Sequence, residues 1–112
     1  RVICLGGLSA HTGAIERAAV VTSKSSVPGL VRALAVEFSE SNVTFNCVVP
    51  GHIEVERSKD AGARLKHPNF EGKNVPYGQP EDVARVIAML VGPHSGFVTG
   101  QTIHVNGGAF LP

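Results

Sequence analysis

Lys24 is the first residue in this 112-residue chain to suggest chemistry, because it follows Thr22 and Ser23 near the start of a helical pattern and just after a polar loop. Pro50-Gly51-His52-Ile53 is the second such group, leaving the end of an apolar strand-like run. Ligands bind at that end of open parallel sheets. Asn106-Gly107-Gly108, closing the last such run, is the third. Taken singly, each has an ordinary reading. A helix lysine is usually a solvated charge, and Pro-Gly after a strand is usually a turn. The five histidines show no metal-ligand spacing, so no metal is expected. His11 and His52 adjoin the presumed cleft and are candidates for proton transfer, a role that imidazole side chains commonly take. Solvated loop histidines are the ordinary alternative. Tyr77, the single tyrosine, precedes Gly78 in a turn and reads as a packing residue. Cys4 and Cys47 sit in apolar runs and read as buried free thiols of a reducing compartment.

The elements that must position these groups alternate. Val2–Leu5 is a short run rich in β-branched residues and stopped by Gly6-Gly7, which predicts a buried parallel strand. Residues Leu8–Arg17 lack periodicity and read as loop. From Ala18, residues Val20, Val27, Leu30, Val31, Leu34 and Phe38 recur at helical spacing and predict one apolar face, with Arg32 and Glu37 off it. Pro28-Gly29 falls inside and predicts a kink. Val43–Val49 predicts a second strand, with Val43, Phe45, Cys47 and Val49 on one face and Thr44, Asn46 and Val48 on the other. The polar stretch His52–Tyr77 is the least regular. Gln79-Pro80-Glu81-Asp82 is a helix start, Val83, Val86, Ile87 and Leu90 form its stripe, and Gly92-Pro93 stops it. A last strand runs from Gly100 to Val105. This order predicts an α/β fold with a parallel sheet.

The three groups together, in this order and spacing, are more specific than any one of them. Ser23-Lys24, the helix end Ala35-Val36-Glu37-Phe38, and the run from Asn42 to Gly51 resemble the second half of a short-chain dehydrogenase/reductase. Gly78–Ala84 and Thr99–Gly108 are similar to the same family, and to its ketoacyl-carrier-protein reductase-like branch in particular. The resemblance covers nearly the whole chain. It implies the C-terminal part of a Rossmann-like doubly wound parallel sheet: three strands with crossover helices, residues 1–112 forming the C-terminal half of one NAD(P)-binding domain. The family's glycine-rich phosphate loop belongs to a strand that would precede Arg1. By the same resemblance the cofactor is NAD or NADP, the substrate a small-molecule carbonyl or alcohol, and the whole protein a homo-oligomer, either dimer or tetramer.

The family's catalytic set is a Tyr-x-x-x-Lys pair with a Ser thirteen residues before the Tyr. Four residues on a helix place two side chains on one face. There the lysine charge stabilises a phenolate and holds the nicotinamide ribose, while the Ser polarises the substrate oxygen. Lys24 matches the Lys, but the Tyr position is Val20 and the Ser position is Gly7, neither able to donate a proton from its side chain. Val55 also stands where relatives commonly carry a Thr that contacts the carboxamide. Ser9, in the loop, is the nearest substitute hydroxyl; Thr22 points elsewhere on the helix. The resemblance assigns cofactor contacts to Lys24, Pro50, Gly51, His52 and Ile53. Two functions follow as alternatives: an oxidoreductase with impaired or altered catalysis, or a non-catalytic dinucleotide-binding or structural subunit assembling with an active relative.

Composition narrows the field further. Ten Lys plus Arg against nine Asp plus Glu gives a net charge of +1, with no electrostatic footprint for nucleic acid or an anionic membrane. The apolar runs are too short to span a bilayer, and no leader is visible, so a cytoplasmic location is expected. Asp60, Arg64 and Lys66, between Pro50 and Pro80, are candidate contacts to a charged substrate. The chain begins with Arg1 in mid-strand and reads as a piece of something longer. Val2–Leu5 then has an open apolar edge, which invites self-association. Sedimentation should show the isolated chain as an oligomer or poorly stable, and a monodisperse monomer with a sharp cooperative melt would contradict this.

Overall fold

A run of fully or nearly fully buried residues, Thr44–Val49, marks the centre of the molecule, because a strand covered on both faces has no polar side to spare. The computed structural model describes residues 1–56 and 77–112. Within them lie β1 (Val2–Leu5), α1 (Ser9–Thr12), α2 (Ala18–Glu37), β2 (Phe45–Pro50), α3 (Pro80–Val91), a 3-10 turn (Pro93–Ser95) and β3 (Thr102–Val105). The sheet order is β1-β2-β3 and every pairing is parallel, so α2 and α3 serve as crossovers. This is the α/β architecture with a parallel sheet that the alternation predicts, and the Rossmann-like one that the resemblance implies. Asp60, Arg64 and Lys66 lie outside the described residues.

The period of two along β2 sends alternate side chains to two cores. Phe45, Cys47 and Val49 meet Val31 and Ala35 of α2, with Cys4, Val27, Leu34 and Val43 around them. Val48 meets Val83 and Leu90 of α3, bordered by Ile3, Val86, Ile87, Ile103 and Val105. Each fully buried Val or Leu contributes about 1.5–3 kcal/mol relative to exposure. The α3 stripe is the predicted one. The α2 face is rotated from expectation: the buried residues are Pro28, Val31 and Ala35, while Val20, Leu30 and Phe38 are 43–53% exposed. A 20-residue helix lying chiefly on β2 buries a narrow stripe, and the i, i+4 row through Val27, Val31 and Ala35 is the one over that strand. Helix α2 runs on as a single element through Pro28. The expected loop Leu8–Arg17 contains one helical turn, α1.

Ends and joints use local chemistry. The Gln79 N–H donates to the Asp82 carboxylate at 2.8 Å and Pro80 opens α3, as the helix-start pattern requires. Gly100, at φ +71°, turns the chain into β3 beneath Ala35, whose Cβ would lie 3.4 Å from a side chain there. Gly51 is tighter still. A Cβ on it would stand 2.6 Å from the Asn106 Cα, so the exits of β2 and β3 touch backbone to backbone. Gly51→Ala should therefore cost about 1–3 kcal/mol, the usual penalty of overpacking. Gly29→Ala, inside α2 with nothing within 4 Å of its added methyl, should be neutral or stabilising by up to about 1 kcal/mol. Urea melts of the two variants side by side check this, and equal effects would contradict the close approach.

Candidate active site

Because all three strands are parallel, their carboxyl ends share one edge of the sheet: Leu5-Gly6, Pro50-Gly51 and Val105-Asn106. Gly6 N–H donates to the Val48 carbonyl at 2.9 Å and Gly51 N–H to the Val105 carbonyl at 2.9 Å, so the ladder extends one residue beyond each strand. Small residues are needed at this edge. A Cβ on Gly6 would come within 2.9 Å of both the Cys47 Sγ and a Val49 methyl.

Lys24 sits over this edge from α2. Its ammonium donates to the Leu5 carbonyl at 3.2 Å, the last carbonyl of β1. Its stem lies against Gly7, where an added Cβ would be 3.2 Å from Cγ and 3.4 Å from Cδ. Gly7 and Lys24, the positions that the resemblance sets against the family's Ser and Lys, thus lie side by side. Val20 stands one helical turn before Lys24, on the same side of α2, with 43% of its surface exposed. Its carbonyl accepts from the Ser23 hydroxyl at 3.0 Å.

Pro50–Ile53 forms the second wall. His52 and Gly78 exchange backbone contact, Gly78 N–H donating to the His52 carbonyl at 2.9 Å, and Glu54 N–H donates to the Gly78 carbonyl at 2.8 Å. Ile53 and Gly78 make a parallel bridge, and the rings of His52 and Tyr77 lie 5.6 Å apart. Tyr77, read as a packing residue, is half exposed and packs at a tilt against His52. Ser9 opens α1, which is tied to α2 by the Ser25 hydroxyl donating to the Ala10 carbonyl at 3.4 Å. Among the described residues no hydrogen bond joins Ser9 to Lys24. Among them too, no group of three or more His, Cys, Asp or Glu could hold a metal ion. No described helix is long and apolar enough to cross a membrane.

A cluster that sequence spacing missed lies at the same edge. The rings of His11 and His104 meet edge to face at 4.6 Å, and Phe110 packs 5.3 Å from each. His11 Nε2 and His104 Nδ1 are enclosed without a hydrogen-bond partner. The only sequence signal was the type of His11, since its partner is remote in the chain.

An α/β Rossmann-like unit with a lysine over the carboxyl ends of its strands defines a dinucleotide-binding class of fold. Comparison with known proteins narrows the class. A family model described as enoyl-(acyl carrier protein) reductase matches residues 1–109. The 3-oxoacyl-(acyl-carrier-protein) reductase of Aquifex aeolicus is 32% identical over 98% of this chain and 45% of its own length. That of Vibrio cholerae is 31% identical over 99% of this chain and 46% of its own. A crystal structure of a short-chain dehydrogenase/reductase, glucose/ribitol dehydrogenase, from Brucella melitensis superposes with a TM-score of 0.78 at 32% identity, covering 98% of this chain and 43% of that one. The chain belongs to the short-chain dehydrogenase/reductase family of NAD(P)-dependent oxidoreductases and spans a little under half the length of the curated relatives it matches.

Burial lowers the His104 pKa, and the neighbouring His11 lowers it further. The fold therefore favours neutral His104, and the unfolded chain binds more protons between the lowered value and about 6.5. This contribution to stability is present above about pH 6.5 and is lost as pH falls through that window. Melting temperatures of the wild type should fall on acidification from about pH 7.5 to 5, and less steeply in His104→Gln. Parallel slopes in the two proteins would exclude the pair as the cause.

Proposed function

We propose that this chain is the nicotinamide-side half of an NAD(P)-dependent oxidoreductase domain acting on a carbonyl or hydroxyl substrate. In this reading Lys24 holds the nicotinamide ribose, and Pro50, Gly51, His52 and Ile53 border the nicotinamide. The observation that carries it is the placement of Lys24: its ammonium is fixed to the Leu5 carbonyl and its stem to Gly7 at the carboxyl ends of the strands. The residues present fit that end of the cofactor, since a cation and close glycine backbone meet there. A bound nicotinamide dinucleotide supplies or accepts the hydride. The chain's own residues orient it and would have to move the proton. The activity for which the relatives are named, reduction of a 3-oxoacyl chain on acyl carrier protein, is the reaction class proposed for the intact protein.

Proton transfer is where this chain departs from its relatives. Val20 and Gly7 have no side-chain proton to give, and loss of a positioned acid costs roughly 10²–10⁴ in rate. Ser9 is the nearest hydroxyl-bearing substitute in the sequence. The same two residues support a second reading, a non-catalytic dinucleotide-binding or structural subunit assembling with an active relative.

Fluorescence titration of the full-length protein with NADH and NADPH tests the first reading. Binding should be saturable, and Lys24→Ala should weaken it at least about tenfold, as the loss of one charged hydrogen bond implies. If neither nucleotide binds the wild type, the fold serves assembly and not redox chemistry. The two readings separate in the double variant Gly7→Ser, Val20→Tyr. Gain of NAD(P)H-dependent carbonyl reduction is expected for the oxidoreductase, whereas a folded but inactive double variant favours the subunit.

A further inference from the structure

His11 belongs to α1, which follows β1, and His104 belongs to β3, so their rings join these two strands across β2. His104 lies opposite Val49, on the side of the sheet that α2 covers, and α1 is tied to α2 through Ser25. The rings meet edge to face at 4.6 Å, with Phe110 5.3 Å from each. His11 Nε2 and His104 Nδ1 are both enclosed and lack a hydrogen-bond partner. Because their present surroundings already enclose them, no further segment reaches either nitrogen unless the rings part.

A neutral imidazole tolerates such a site, since one of its nitrogens carries no hydrogen and can face inward as a bare acceptor. An imidazolium carries an N–H on both nitrogens. Protonating either ring therefore drives a charged donor into an enclosure that offers no acceptor, beside a second imidazole. Burial, and then His11, hold the His104 pKa below the usual imidazole range. The charged groups described nearby give no relief. Lys24 of α2 ends on the Leu5 carbonyl, Glu16 and Arg17 are exposed ahead of α2, and His52 faces Tyr77. Strands β1, β2 and β3 and the turn 106–110 carry no charged residue besides His104.

We propose that the His11–His104 pair is a pH-sensitive clasp, holding α1 against β3 while both rings are neutral and releasing it when either is protonated. What opens is small. The four residues of α1 are held by the His11 and Thr12 N–H groups on the Leu8 carbonyl, at 2.9 and 3.2 Å, and by the Gly13 N–H on the Ser9 carbonyl at 3.0 Å. Parting the rings disturbs far less than unfolding a strand. The backbone passes the movement on: Ala10 N–H donates to the Gly7 carbonyl at 3.0 Å, and Gly7 rests on the Lys24 stem. Ser9 moves with the same turn. The clasp stands on the ring geometry; that its opening loosens a nucleotide site rests on the proposed role of Lys24.

Amide hydrogen exchange on the full-length protein, without nucleotide, is the test. Between about pH 7.5 and about pH 5, across the imidazole range, protection factors at His11, Thr12 and Gly13 should fall at least about tenfold, while those at Asn46, Cys47 and Val48 stay level. The fall should share its midpoint with the ring titration of His11 or His104 read by NMR. In the double variant His11→Phe, His104→Gln, with β2 still protected, the pH dependence at residues 12 and 13 should vanish. Level protection in the wild type, a fall shared equally by β2, or a midpoint unlike that of either ring would overturn the clasp. So would pH dependence that persists in the folded double variant. Failure of NADH or NADPH to bind counts against the cofactor reading alone, because exchange is read without them.

Discussion

The buried amide of Asn46 is the interaction on which the rest of this structure depends. Its side chain has no exposure, yet both ends are used: Nδ2 donates to the Val98 carbonyl at 2.8 Å, and Oδ1 accepts from the Gln101 N–H at 3.1 Å. Left unpaired in this interior, such an amide would cost about 1–3 kcal/mol for each stranded group. Satisfied, it fixes the segment leading into β3 against β2. Phe45 N–H to the Thr99 hydroxyl, Gly100 N–H to the Phe45 carbonyl and Cys47 N–H to the Gln101 carbonyl continue the same seam. Parallel register between β2 and β3 then follows, with Pro50 opposite Val105. That register brings Gly51 onto Asn106 and closes one end of the row of strand ends.

The other end depends on smallness. Gly6 and Gly7 leave β1 where a larger residue would strike Cys47 and Val49 or press on the Lys24 stem. The lysine crosses that gap and ends on the Leu5 carbonyl, so its charge is held at the strand ends by a strand and not by a loop. Pro28 adds a local effect. Having no N–H, it cannot donate to the carbonyl of Lys24 four residues earlier, and α2 is spared only because the rest of its turns pack on the sheet.

Much of this was legible in the sequence, for reasons visible in particular residues. The alternation along β2 assigns Cys47 and Val49 to one core and Val48 to the other, and a period of two leaves no freedom once one face is fixed. Pro80 with Asp82 marks the start of α3 by chemistry confined to four residues. The α2 face was less legible. Val20, Leu30 and Phe38 have the residue types of a core and the right spacing, but the sheet decides which stripe is covered, and the sheet is built from distant segments. The site was legible only in part. Lys24 stands out by position, whereas the contact of Gly7 with its stem and the His11–His104–Phe110 cluster join elements far apart in the chain.

The fold itself demands neither Gly7 nor Val20. Val20 is half exposed on α2 and lies outside both buried clusters, so packing does not require a valine there and would not exclude a larger ring. Gly7 is pressed only by the methylenes of Lys24, a flexible stem able to give by a few tenths of an ångström, and not by backbone as at Gly51. Gly6 and Gly51 are steric necessities, and Gly7 is not. The two departures that the resemblance implies are therefore separable from stability. In the proposed reading they change which groups could hold a proton at the strand ends, while the strands, the seam through Asn46 and Lys24 stay in place.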